Sequence, residues 1–462
     1  METLLKIVQT VNSYLTDYVL IALLVGVGIY FTVRTRFVQV RCFGEGMRQV
    51  FGNLSLNGKK QKGGLSSFQA LATAVAGQVG TGNIVGACGA ILLGGPGAIL
   101  WMWIIAFFGM ATIYAEAVLA QKTRIVDGDE SVRGGPVYYI RRAFGGTFGK
   151  VLAVLFAIFS ILALGFMGAM VQTNSIAETF SNAFHVDGWI VGIALALFSA
   201  AIFLGNVQRL ASVTEKLVPV MAILYIVGTI VIICSRIVYI PETFALIFKY
   251  AFRPDAIIGG GIGYAIKTAI SQGAKRGLFS NEAGMGSTPH AHAMAKVDTP
   301  HQQGVSAMVG MFIDTFVVLT LTALVVISTL YAGDGILADG LEAGVSKTNM
   351  AQLAFGSLFG AAGGNIFVAI CLFFFAYSTV ISWNLFGKLN VRYLFGKKGE
   401  IVYSILAIGF VFLGTVFQND LVWELTDFFN YLMVIPNVIA LVALAKLVES
   451  SARGKSELPE IK

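Results

Sequence analysis

The sequence predicts an all-α polytopic membrane protein of eleven transmembrane helices, two of them discontinuous, built as two inverted sets of five with one extra N-terminal helix. Three observations carry that expectation. The 462 residues are 56% hydrophobic and only 12% charged, with mean hydropathy +0.78, whereas soluble domains carry charge on about a quarter of their residues. Eleven apolar runs are long enough to cross about 30 Å of hydrocarbon. Two of those runs are interrupted by glycine, amide and hydroxyl residues, which a helix crossing lipid does not tolerate unless protein or a water-filled cavity covers its backbone.

In chain order the runs span about 15–33, 66–91, 97–121, 149–178, 188–206, 217–235, 256–291, 303–331, 362–387, 400–417 and 421–447. The first follows a segment with one basic residue, Lys6, and no small-residue cleavage site, so it reads as an anchor. The second holds the break Gln78-Val79-Gly80-Thr81-Gly82-Asn83. Gly94-Gly95-Pro96-Gly97 is a tight turn into the third, and Val137-Tyr138-Tyr139-Ile140 reads as a short interfacial piece within a basic loop. The seventh run is too long for one straight span, since its helix would cover about 54 Å at 1.5 Å per residue. It must bend, and Gly277-Leu278-Phe279-Ser280-Asn281-Glu282-Ala283-Gly284 is the natural place. The loop from Tyr331 to Gly356, with Asp334, Asp339 and Glu342, is long enough to fold over an entrance.

Lys and Arg fall unequally on alternate sides of the runs. One side takes Arg34, Arg36, Arg41, Arg48, Lys59, Lys60, Lys62 and their later counterparts through the C-terminal tail, and the other only Lys6, Arg236, Lys249, Arg253 and Lys347. Basic loops stay in the cytoplasm, which predicts a cytoplasmic C-terminus, an outside N-terminus and a multi-pass inner-membrane protein. Setting the first run aside leaves runs 2–6 and 7–11. Five is odd, so the second set enters with opposite topology, and each set begins with its broken helix. The expected divisions are 1–65 (extra helix and basic loop), 66–235 and 236–447 (the two five-helix repeats), and 448–462 (tail).

A broken helix exposes free N–H groups at one half and free carbonyls at the other, which suit a carboxylate and a cation respectively. Gly80 and Gly82 permit close backbone approach, and Gln78, Thr81 and Asn83 add neutral polar ligands. A zwitterion needs no charged side chain where helix termini and a bound cation meet its two ends. Close packing through Gly77, Gly82, Gly86 and Gly89 explains the glycines but not the amides and hydroxyl beside them. A dinucleotide loop is a poor match, since the glycines run GxGxxxG after a membrane helix. In the ninth run Ser378 and Thr379 either bond back to the preceding turn or offer oxygens to Na⁺.

These residues carry a family resemblance. Ser-Ser-Phe-Gln-Ala-Leu at 66–71, Gly80-Thr81-Gly82-Asn83, Gly94-Gly95-Pro96-Gly97, Met170-Val171-Gln172-Thr173-Asn174-Ser175 and the segment Gly277 to Gly286 resemble the alanine or glycine:cation symporter family over nearly the whole chain. The resemblance implies the leucine-transporter-like fold with one extra N-terminal helix. It implies a sodium site at Ala76, Val79, Phe375, Ser378 and Thr379, and an amino-acid cradle of Gly80, Thr81, Gly82, Asn83, Phe279, Ser280 and Asn281. Gln172 faces that centre, and Phe279, Trp383 and Phe166 close around a small side chain. Gln78 departs from the family pattern and bears on the choice between alanine and glycine. The expected activity is import of a small neutral amino acid with Na⁺ by alternating access, with H⁺ coupling in the same fold as the alternative. Na⁺ is the coupling ion, no organic cofactor is needed, and no obligatory protein partner is evident.

Other classes fare worse. The net charge of +7 sits in short loops and forms no patch for nucleic acid. A channel would need a filter motif, and an enzyme a nucleophile or metal constellation; His290 and His292 at i, i+2 do not share one helix face. Cys42, Cys88, Cys234 and Cys371 lack metal or redox spacing. Glu116, Lys275, Arg276, Glu282 and Asp314 fall inside apolar runs, where each needs a partner or water, and the expected pairing is Glu282 with Lys275 or Arg276.

Overall fold

The computed structural model describes residues 2–52, 65–126, 132–252, 262–338, 340, 344–417 and 419–454. The basic residues Lys59, Lys60 and Lys62, the start of the seventh run, and Arg253, Asp339, Glu342, Lys455 and Lys462 lie outside them. The described chain is almost wholly helical. α1 (Thr3–Arg34) leads to the amphipathic α2 (Phe43–Phe51). The half-helices α3 (Ser67–Gln78) and α4 (Gly82–Gly94) follow, bent by 43°. After α5 (Ala98–Thr123) come the hairpin β1 (Ile125–Val126) and β2 (Val132–Arg133), then α6 (Pro136–Ala143), α7 (Gly146–Phe184), α8 (Gly188–Phe203), α9 (Val207–Ser235) and α10 (Ile240–Phe252).

The second half begins with α11 (Ile262–Asn281) and the short α12 (Pro289–Met294). α13 (Pro300–Leu330), α14 (Met350–Gly414), α15 (Asn419–Ala443) and α16 (Ala445–Ala452) complete it. Among the described residues seven helices are long and apolar enough to cross a membrane, and the bent pair makes an eighth. α14 is not one rod. Gly360 (φ 74°, ψ 159°) and Gly396 (φ 70°, ψ −172°) leave the helical region, in conformations open chiefly to glycine. α10 was not foreseen from the sequence.

Local chemistry sets the helix ends. Ser66 and Gln69 form a reciprocal cap at the start of α3, with Gln69 N–H donating to Ser66 Oγ at 3.0 Å and Ser66 N–H to Gln69 Oε1 at 3.2 Å. Thr299 caps α13, whose first residue is Pro300. Within the long helices, π-helical turns interrupt the pattern at Ile161–Gly168 and Ile313–Leu319, and another, Gly82–Gly86, opens α4. Such turns concentrate at functional sites.

Packing follows membrane rules, where small residues let backbones approach because lipid offers no hydrophobic drive between helices. Gly28 of α1 lies against Phe108 of α5, so close that an added Cβ would sit 2.7 Å from the Phe108 Cβ. Outward faces carry apolar side chains: Leu197 and Phe198 on α8, and Ile223 and Val227 on α9, are exposed. The amide N–H of Leu65 donates to Met294 O at 2.9 Å and Lys296 N–H to Leu65 O at 3.0 Å. This tie joins the entry to α3 with the exit from α12, so those ends of the two broken segments lie on one side of the bundle.

Candidate functional site

The helix α3 ends at Gln78 because Val79 turns out of the helical region (φ −80°, ψ 88°). The carbonyls of its last turn thereby lose their intrahelical partners. Val75 O recovers one from Val79 N–H at 2.7 Å, and Ala76 O meets the hydroxyl of Thr379 on α14 at 2.8 Å. Thr379 Oγ1 also lies 3.5 Å from Val79 O and 3.1 Å from Phe375 O, and Ser378 Oγ donates to Phe375 O at 2.9 Å. All six of these residues are buried. Three carbonyl oxygens thus surround one hydroxyl, which has a single proton to give. The arrangement is a pocket of oxygen with surplus negative potential and no charged side chain.

The other face of the break belongs to the amides. Gly80 N–H donates to Asn83 Oδ1 at 3.0 Å, and Thr81 N–H to Gln172 Oε1 of α7 at 3.0 Å. Gln172 therefore occupies a free N–H of the break. Asn83 Nδ2 donates to Asp314 Oδ1 at 2.6 Å, and Ser280 Oγ of α11 to the same carboxylate at 3.1 and 3.2 Å. Asp314, in the π-turn of α13, links the two breaks. Close approach requires Gly82, where an added Cβ would lie 2.9 Å from Ser280 Cα and 3.2 Å from the Phe279 ring. Thr81 Oγ1 and Asn281 Nδ2 are buried without a hydrogen-bond partner among the described residues, and each is a polar group that a bound solute would satisfy.

The second break differs from expectation in place. α11 stays helical through Phe279, Ser280 and Asn281, and the chain leaves the helix at Glu282, which adopts φ 59°. Gln78 is also spent otherwise than foreseen: its Nε2 donates to Asn281 O at 2.8 Å, so the side chain is a strut between the two breaks. Phe279 sits edge-on to Trp383 with ring centres 5.7 Å apart and tilts against Trp423 at 4.9 Å. Phe166 goes elsewhere, its ring stacked on Phe410 at 4.5 Å and tilted against Tyr403. The remaining expected residues, Ala76, Val79, Gly80, Thr81, Gly82, Asn83, Gln172, Ser280, Asn281, Phe375, Ser378 and Thr379, come together around the first break through these contacts.

The expected pairing of Glu282 is corrected. Its carboxylate accepts from Trp383 Nε1 and Ser287 Oγ. Lys275 instead contacts Asp427 Oδ2 at 2.9 Å and Glu424 Oε1 at 3.3 Å, and Arg276 contacts Asp427 Oδ2 at 3.2 Å. Lys275 and Arg276 of α11 thus pair across to α15 rather than with Glu282 just past the end of their own helix. Glu116 accepts from Gly284 N–H, Gly286 N–H and Asn437 Nδ2 at 3.2, 2.9 and 2.7 Å, and so ties the turn after Glu282 to α5 and α15. His290 and His292 are buried. Asn390 Nδ2 lies 2.9 Å from His290 Nε2, and Gln303 Nε2 lies 2.7 Å from His292 Nδ1.

Trp423 was missed. Beyond its Phe279 contact, it carries the Arg276 guanidinium at 4.7 Å and the Lys347 ammonium at 5.1 Å from its ring. Burial, with Arg276 nearby, holds the Lys347 ammonium below the usual lysine range, and Asp420 at 3.1 Å opposes that shift. No apolar periodicity marks Trp423; its signal was a lone large aromatic one helical turn before Asp427.

A sequence model described as the sodium:alanine symporter family matches residues 1–454. The chain belongs to the sodium:alanine symporter family. It is 42% identical over 455 residues to the sodium/alanine symporter AgcS of Methanococcus maripaludis, covering 98% of this chain and 97% of that one. It is 40% identical over 451 residues to YrbD of Bacillus subtilis, described as a putative sodium/proton-dependent alanine carrier, covering 95% and 90%. The crystal structure of MhsT with L-phenylalanine superimposes with TM-score 0.58 at 15% identity, covering 85% of this chain and 96% of that one. That likeness gives the leucine-transporter-like fold. The symporter family is a family of integral membrane transporters, not enzymes.

Proposed function

We propose that this symporter imports a small neutral amino acid, alanine or glycine, with Na⁺ as the coupling ion, by alternating access. The carrying observation is the convergence of Ala76 O, Val79 O and Phe375 O on Thr379 Oγ1, with Ser378 beside it. Na⁺ is a hard cation that takes oxygen ligands, and five neutral oxygens from a helix end and a facing helix supply them without a fixed charge. Bound there, the ion would sit beside the break whose N–H groups at Gly80 and Thr81 now donate to Asn83 and Gln172. A carboxylate would take those donors, and the small side chain would meet Phe279 and Trp383. The tight approach at Gly82 favours a small solute over a large one.

On this reading the chain crosses the membrane eleven times. The turn at Gly396 divides α14 between the ninth and tenth spans, α8 is the fifth, and α11 with α12 forms the broken seventh. Residues 66–235 and 236–447 are then inverted repeats, each opening with a broken helix, behind the extra segment 1–65 and before the tail 448–462. The distribution of Lys and Arg supports a cytoplasmic C-terminus and an outside N-terminus in the inner membrane.

One observation favours H⁺ as the alternative coupling ion: the donors to the buried Asp314 carboxylate, Asn83, Ser280 and Thr315, are all neutral. The deciding experiment is uptake of labelled alanine and glycine into proteoliposomes under an inward Na⁺ gradient, an H⁺ gradient, or neither. Uptake that follows Na⁺ supports the reading. Uptake driven by H⁺ alone transfers the coupling to a carboxylate, and no gradient-driven uptake of either solute overturns the substrate assignment.

A further inference from the structure

Away from the transport site, three side chains with metal-binding chemistry meet where α2 packs on the start of α13. Cys42 is the residue before α2 and Glu45 lies in its first turn, while His301 is the second residue of α13. One ligand atom from each, the Cys42 sulfur, a Glu45 oxygen and a His301 ring nitrogen, all lie within 4.8 Å of one another. His301 Nε2 is already 3.4 Å from Glu45 Oε2.

The local structure leaves these groups uncommitted to the helix. Cys42 and Glu45 hold the two positions from which a polar pair normally caps a helix start, yet Cys42 makes no side-chain cap bond. Gly46 then lets α2 approach α13, since an added Cβ would lie 2.8 Å from Val305 O. That contact holds the first turn of α2 against His301. Behind the imidazole, Tyr114 OH of α5 lies 2.6 Å from His301 Nδ1. With Nδ1 carrying the proton and donating to the phenol oxygen, Nε2 presents its lone pair towards Glu45 and Cys42. A hydrogen bond at the far nitrogen is the usual support of a metal-bound histidine.

We propose that Cys42, Glu45 and His301 form a binding site for a divalent transition-metal ion of the Zn²⁺ class, with Tyr114 orienting the imidazole and a fourth position left to water. A thiolate, an imidazole and a carboxylate are the mixed set that suits Zn²⁺, at about 2.3 Å for sulfur and about 2.0–2.2 Å for nitrogen and oxygen. A tetrahedron of those bonds sets ligand atoms roughly 3.3–3.8 Å apart. The nitrogen–oxygen pair fits that spacing already, and the sulfur closes the remainder by a side-chain rotation. Half-exposed Glu45 gives the ion an entry path. Bound, the ion clamps α2 to α13 and, through Tyr114, to α5. It is independent of the sodium site and of the solute.

The test uses the full-length purified protein, stripped with a chelator and titrated with Zn²⁺ against a chromophoric competitor. One ion per chain is expected, with affinity lowered at least tenfold in Cys42→Ser and His301→Gln and about tenfold in Tyr114→Phe. Cys234→Ser, at an exposed cysteine elsewhere, leaves the titration unchanged. Co²⁺ in place of Zn²⁺ gives a thiolate charge-transfer band that Cys42→Ser abolishes, and thermal unfolding without metal checks that each variant is folded. A wild-type protein that binds no ion, or folded Cys42→Ser and His301→Gln proteins that titrate like the wild type, overturn the proposal.

Discussion

The hydroxyl oxygen of Thr379 stands 2.8 Å from the carbonyl oxygen of Ala76, across 303 residues of sequence. One partner is a carbonyl freed by the end of a broken helix, and the other a hydroxyl on an unbroken stretch of α14. Their meeting ties the end of α3 to the middle of α14 at a place where backbone oxygen has been released inside the bundle.

Thr379→Ala removes the hydroxyl and leaves Ala76 O and Val79 O facing a methyl group. A hydrogen-bonding oxygen at a charged ligand contributes about 1.5–3 kcal/mol, so the Na⁺ concentration for half-maximal uptake rises about ten- to hundredfold. Thr379→Ser keeps the oxygen and stays near wild type. Na⁺-titrated uptake in proteoliposomes reads both, and an alanine variant with unchanged Na⁺ dependence removes Thr379 from the ion site.

Gly82→Ala places a methyl group 2.9 Å from Ser280 Cα and 3.2 Å from the Phe279 ring. The obstacle on one side is backbone, so the two breaks must separate. Overpacking of this kind costs about 1–3 kcal/mol, and the wider spacing breaks the Asn83–Asp314–Ser280 link. Thermal unfolding in detergent should fall by several degrees, with solute-induced stabilisation lost. A variant that melts and responds to alanine like the wild type shows that the breaks are not in contact.

The two breaks were legible because non-helical residues inside an apolar run have few explanations. Gly80, Gly82 and Asn83 announce themselves as residues that an uninterrupted lipid-crossing helix does not carry. Partners were not legible. Glu282 sits six residues from Arg276, and that proximity suggested a pair, but helical geometry sends Arg276 towards Asp427 on α15 while Glu282 turns back to Trp383 and Ser287. Asp314 stood out as a charge in an apolar run, yet its bond to Asn83 spans 231 residues and leaves no local pattern. The π-turn that carries Asp314 follows from no propensity, and Phe166 shows that an aromatic near a motif can belong to a neighbouring packing layer.

Asp427→Asn tests that corrected pairing. The Asp427 side chain is 1% exposed and meets both Lys275 and Arg276. Removing one partner of a buried ion pair costs about 3–5 kcal/mol because the other charge is left uncompensated. Folded yield should fall steeply, and Lys275→Met in the same chain should recover part of it. If Asp427→Asn alone is as stable as the wild type, the cluster is open to water and the pair carries no structural weight.

Asp314→Asn separates the two coupling ions. The wild-type carboxylate accepts from Asn83 Nδ2, Ser280 Oγ and Thr315 Oγ1. An asparagine keeps the shape but offers one oxygen in place of two and sets an NH₂ group against at least one of those donors. An unsatisfied buried donor costs about 1–3 kcal/mol, so the alanine dissociation constant should rise roughly five- to hundredfold through loosened breaks. If Na⁺ drives transport through the Thr379 cluster, the residual uptake still follows the Na⁺ gradient, because no oxygen of that cluster has changed. If Asp314 is a proton carrier, the variant exchanges labelled solute but no longer accumulates it under any gradient. Accumulation and exchange measured side by side in the same liposomes therefore identify which residue holds the coupling ion.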